Sequence, residues 1–66
     1  MINDKVCKAL NEQIALEFNS AYLYLAMAAA FEGQNLPGFA HWMKAQYQEE
    51  VGHGMRLFGY LVDRGG

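Results

Sequence analysis

The sequence holds a single cysteine, Cys7, and a single proline, Pro37. One cysteine excludes an internal disulfide framework and fits a reducing, cytoplasmic setting. Basic residues are few: five Lys and Arg stand against seven Asp and Glu, a formal net charge of −2, which argues against a nucleic-acid-binding face. No uninterrupted apolar run is long enough to span a bilayer, so no membrane partner is expected. The opening stretch "MINDKVCKAL" lacks a basic segment followed by an apolar one, and no signal peptide is expected from it. Low-complexity stretches are missing as well. What is present is apolar: 53% of the 66 residues are hydrophobic and 14% aromatic, far from the composition of a disordered chain. At this length a single core is marginal without staples, a metal or oligomerisation.

The punctuation points to two helices. Asn3 is placed to cap the first, with Asp4 adding negative charge to its first turn. Strong helix formers continue to about Phe31. "EGQNLPG" then breaks the pattern, and Pro37 suits the first turn of a second helix that runs to about Arg64, where Gly65 and Gly66 stop it. The spacing predicts one helical unit over 1–66: helix 4–31, loop 32–36, helix 37–64. A connection this short makes the helices antiparallel neighbours, an all-α hairpin.

Steps of four and three give each helix an inner stripe. The first reads Leu10, Ile14, Glu17, Ala21, Tyr24, Ala28, Phe31. The second reads Leu36, Phe39, Met43, Gln46, Glu50, His53, Leu57, Tyr60. Leu16, Phe18, Tyr22, Leu23 and Trp42 fall off these stripes and predict a second apolar face that neighbouring subunits cover. Both inner stripes are apolar at their ends and titratable in the middle. At 1.5 Å of rise per residue, Glu17, Glu50 and His53 all stand roughly 23–28 Å from the turn. Two separate helices thus bring their buried charged groups to one level.

Two carboxylates in a poorly solvated site repel, and a divalent cation removes that penalty. Carboxylate oxygens with a neutral imidazole suit iron, manganese or zinc better than calcium. Glu50-x-x-His53 puts both side chains on one helix face. One Glu from each of two helices, with Glu-x-x-His from each of two others, makes the ligand set of di-iron carboxylate bundles. A buried Glu–His ion pair fits the same residues, and the shared height favours the metal. Tyr24 lies two turns beyond Glu17, and its side chain leans back toward the site. Gln46 is either a group supporting the ligands or a satisfied core amide. Glu49 points about 100° away from Glu50 and reads as a solvated residue at the rim. His41 and Trp42 read as surface or interface residues, Met27, Met43 and Met55 as packing, and Cys7 as an inert small side chain.

"ALNEQIALEFNSAYLYLAMAA" and "LPGFAHWMKAQYQEEVGHGMRLFGYLVDRGG" together resemble the first two helices of a prokaryotic, non-haem ferritin, the N-terminal half of its four-helix bundle. The combination of Tyr-Leu-Tyr-Leu, Leu-Pro-Gly-Phe-Ala and Glu-Glu-x-x-His carries the likeness over essentially the whole chain. The resemblance implies iron storage with ferroxidase activity: Fe(II) is bound, oxidised by dioxygen or peroxide, and stored as ferric mineral in a cage-like homo-oligomer. It makes Glu17 a terminal ligand, Glu50 a bridge between two irons, His53 the nitrogen ligand, Tyr24 a hydrogen-bonding neighbour and Glu49 part of an accessory third site. Two departures stand out. Family chains are more than twice as long, and their third and fourth helices supply the rest of the second iron's ligands. Gly52 and Gly54 stand where the family usually has better helix formers, at about 1 kcal/mol each. Three functions remain open on these residues: a ferroxidase completed by another segment or subunit, a metal-binding hairpin without turnover, or a structural hairpin with a buried Glu–His pair.

Overall fold

The computed structural model describes residues 2–65. Two helices, α1 (Asp4–Gly33) and α2 (Pro37–Asp63), pack antiparallel, with no strand among the described residues. The hairpin measures 49 × 15 × 9 Å, one helix long, two helices wide and one helix thick.

Local chemistry sets the helix ends. The side-chain oxygen of Asn3 accepts from the Val6 amide at 2.9 Å, satisfying one of the free amides of the first turn. At the far end α1 runs two residues past the expected Phe31 and closes in a Schellman turn: the Leu36 amide donates to the Phe31 carbonyl and the Asn35 amide to that of Glu32. This turn needs a left-handed residue, and Asn35 takes that role at φ 58°. Sequence reasoning marked the break without singling out Asn35. Pro37 opens α2 at its first turn, where no amide donor is needed. The second helix ends at Asp63, one residue earlier than expected, and Gly65 follows at φ 76°. Gly66 lies outside the described residues. Across the loop the rings of Phe31 and Phe39 stand 5.4 Å apart, and Lys44 pairs with Glu32 on the surface.

The helix contact is built on small residues. Ala21, Ala28, Ala40 and Gly54 are buried, joined by Leu61. On α1 this is the expected stripe. On α2 the buried residues Ala40, Gly54 and Leu61 mark a line rotated from the expected stripe; Phe39, His53 and Tyr60 are exposed beside it. Counting large apolar side chains misplaces this line, because α1 approaches most closely where α2 has almost no side chain. Phe18, expected on an outer face, shows the reason: its ring lies over Gly54, and a Cβ there would stand 2.7 Å from Phe18 Cε2. Gly54 is therefore a packing requirement as well as a helix cost. A Cβ on Gly52 meets nothing within 4 Å. Gly52→Ala is expected to stabilise the protein by about 1 kcal/mol. In Gly54→Ala the clash should consume that gain, leaving it about 1 kcal/mol or more below Gly52→Ala. Urea melts of both variants decide it, and equal stabilities would discard the Phe18 contact as a constraint.

By length and composition alone α1 is apolar enough to cross a bilayer, its best 18-residue window averaging a hydropathy of 1.3. That narrows the sequence expectation, which counted only uninterrupted runs. Glu17, Asn19 and Ser20 interrupt the apolar residues near the middle of this helix.

Candidate metal centre

Glu17, Glu50 and His53 come together at mid-height of the hairpin. Each offers a ligand atom, and these atoms lie within 4.8 Å of one another. Glu50 is the middle residue of α2 and Glu17 lies near the middle of α1, so both are held by helix that is well clear of fraying ends. The Glu17 and Glu50 side chains keep only 18% and 21% of their exposure, whereas that of His53 keeps 47% and opens onto the free face of the hairpin.

The hydrogen bonding is lopsided. Oε1 of Glu17 accepts from Nε2 of Gln13 at 2.9 Å. Oε2 is buried and lacks a hydrogen bond of good geometry. His53 Nδ1 approaches it at 3.4 Å and Glu50 Oε1 at 3.8 Å, too far for strong charge-assisted bonds. Interaction with Glu50 holds the Glu17 carboxyl below the usual range, helped by Gln13, and interaction with Glu17 pushes Glu50 above it, helped by desolvation. Two carboxyls and an imidazole within reach of one another, with one buried oxygen lacking a hydrogen bond, make a reasonable ligand set, since a divalent cation would engage Oε2 and offset the repulsion between the carboxylates.

The other site candidates are more peripheral. Tyr24 is half-buried, and among the described residues its hydroxyl makes no hydrogen bond to the three ligands. Glu49 is exposed, stands outside the cluster, and acts on Glu50 only through its charge. Gln46 is half-buried one turn before Glu50. Gln13 was missed; its signal was its place four residues before Glu17, where helical side chains meet. Together with Arg56, Leu57 and Tyr60, it lines the groove that holds Glu17 and His53.

The description of the ferritin-like domain matches residues 7–66. The chain belongs to the ferritin-like family. A bacterial non-heme ferritin from Bacteroides fragilis is 50% identical over 66 residues, all of this chain and 42% of that protein. One from Staphylococcus saprophyticus is 42% identical over 65 residues, 98% of this chain and 39% of that protein. Among solved structures, an open-pore ferritin of Archaeoglobus fulgidus superposes with a TM-score of 0.94 at 49% identity, over 98% of this chain and 40% of the other. A form of the A. fulgidus ferritin engineered to be closed gives 0.96 at 48%, over 100% and 40%. This ferritin-like chain spans about two-fifths of the length of these relatives and corresponds to their N-terminal part, one helical hairpin of a four-helix bundle.

Proposed function

We propose that this hairpin supplies half of an iron-oxidising centre in an iron-storing protein. The observation that carries the reading is the buried Oε2 of Glu17, without a hydrogen bond, in a cluster whose three ligand atoms lie within 4.8 Å. Fe(II) is the substrate. Glu17 and His53 bind it from opposite helices, and Glu50 reaches both this ion and a second one. The remaining ligands of the second ion come from another segment or subunit. Gln13 orients Glu17 by occupying Oε1, which turns Oε2 toward the metal. Two bound Fe(II) give one electron each and leave as ferric iron; with two protons, the electron pair reduces dioxygen to hydrogen peroxide or hydrogen peroxide to two waters. The carboxylates favour that change because they bind the trivalent ion more tightly than the divalent one. Tyr24 hydrogen-bonds near the site, and Glu49 at the rim serves iron passing to or from it. The setting is the cytoplasm, the assembly is a cage-like homo-oligomer, and neither nucleic acid nor membrane is a partner.

The buried ion pair is the competing reading, supported by the His53–Glu17 approach of 3.4 Å. An oxygen electrode separates the two. Fe(II) added to the protein is expected to consume oxygen well above the buffer rate. His53→Ala should lower that rate by about tenfold or more and Tyr24→Phe by only a few-fold, because a lost ligand outweighs a lost neighbouring hydrogen bond. Oxygen uptake at the buffer rate, with no Fe(II) retained on anaerobic gel filtration, would remove the metal reading.

A further inference from the structure

Gln13 stands outside the ligand cluster and is exposed on α1, one turn before Glu17. At that spacing helical side chains meet. Its Nε2 donates to Oε1 of Glu17 at 2.9 Å, a good hydrogen-bond distance. An ionised carboxylate only accepts, so the nitrogen end of the amide has to face it. Both residues belong to α1, so the bond depends on no other part of the protein.

The two oxygens of Glu17 are therefore unlike. Oε1 is engaged by Gln13. Oε2 is buried without a hydrogen bond of good geometry and lies 3.4 Å from His53 Nδ1, on the side of the cluster. A carboxylate holds a metal through one oxygen or chelates it through both. Chelation turns both oxygens toward the same ion, and here that pulls Oε1 away from Gln13. A hydrogen bond to a charged group is among the stronger kinds, so its loss weighs against chelation. Attachment through Oε2 alone keeps the bond, because Oε2 already faces the cluster.

The mode of attachment selects among cations. Ca(II) collects roughly six to eight oxygens and gains from carboxylates that chelate it. Divalent transition ions and zinc take fewer, shorter bonds and accept an imidazole nitrogen. A Glu17 held to one oxygen denies Ca(II) a donor that a transition ion does not need. We infer that Gln13 is a specificity-determining residue: by holding Oε1 it restricts Glu17 to binding through Oε2 alone, and so favours Fe(II) over Ca(II). The inference rests on the metal reading above and adds to it what sets the choice of ion. An ordinary helical pair at this spacing would steady α1 and leave that choice untouched.

The test uses Co(II) and Ca(II) as probes. Co(II) stands in for Fe(II), and its visible bands weaken as further donors join the ion; Ca(II) is read by its competition against Co(II). Gln13→Met keeps the length of the side chain and removes the donor, while Gln13→Lys supplies a different donor. Circular dichroism follows the helices, which neither change at this exposed position should disturb. The wild-type protein is expected to bind Co(II) with strong bands and to lose little of it to Ca(II). In Gln13→Met the bands should weaken, and the preference for Co(II) over Ca(II) should fall by about tenfold. Gln13→Lys should recover most of that preference, since its added charge weakens both dications alike and cancels in the ratio. A wild-type spectrum and ratio in Gln13→Met would overturn the inference and leave the metal reading intact. So would a loss of both ions together in Gln13→Met, or a ratio in Gln13→Lys as low as that of Gln13→Met. A wild-type protein that binds no Co(II) would remove the metal reading itself.

Discussion

Glu17→Ala is expected to abolish stabilisation by metal while leaving the metal-free protein no less stable than wild type. Removing this side chain removes a carboxylate that has Glu50 as a neighbour and a buried oxygen with no hydrogen bond. Burying such a group is unfavourable unless something binds it. In wild type, metal at about a hundred times its Kd should add roughly 2.7 kcal/mol, a rise in Tm on the order of 10–20 °C for so small a domain. In Glu17→Ala that rise should vanish. His53→Ala should lose the metal effect as well, with little change in the metal-free Tm, since His53 is half exposed and its contacts to the two carboxylates are long. Thermal melts of the three proteins, with and without Fe(II) under anaerobic conditions, make the comparison. Clear destabilisation of both metal-free variants, with a wild-type Tm indifferent to metal, would leave the structural ion pair as the correct reading.

The meeting of Glu17, Glu50 and His53 was legible in the sequence because their level depends only on residue counts. Glu17, Glu50 and His53 are roughly equidistant from the turn, and an antiparallel hairpin converts equal counts into equal heights. The loop could shift by a residue or two without altering that. The inner stripe of α1 was legible because its steps of four and three continue on either side of Glu17 and reach the buried Ala21 and Ala28. The rotation of α2 was not. Periodicity weights large apolar side chains, whereas Ala40 and Gly54 define where the helices approach, and the decisive partner, Phe18, belongs to the other helix. Gln13 escaped notice because a glutamine on a helix edge is usually solvated, and only the orientation of Glu17 shows what it does. Asn35 was hidden among several turn-forming neighbours, and only its backbone angle sets it apart.

The closest contacts of α1 with α2 connect packing to chemistry, and Ala21 is the position where that connection is most exposed to test. It is 2% exposed and sits one turn beyond Glu17. A leucine there has no room without moving the helices apart, and overpacking of this kind typically costs about 1–3 kcal/mol. The same displacement carries Glu17 away from His53, which begins 3.4 Å from it. Metal geometry tolerates displacements of only a few tenths of an ångström, so Ala21→Leu is expected to weaken metal binding by roughly tenfold or more although no ligand is changed. Ala29→Leu is the control: Ala29 is exposed on the same helix, and leucine there should change stability by only about 0.5 kcal/mol and leave metal affinity alone. Affinity is measured by anaerobic titration with Co(II), whose visible spectrum reports its ligands, and stability by urea unfolding of the metal-free protein. If Ala21→Leu loses stability but keeps wild-type Co(II) affinity and spectrum, the separation of the helices does not control the site. If it loses both while Ala29→Leu loses neither, the small-residue contact between the helices sets the distance between the ligands.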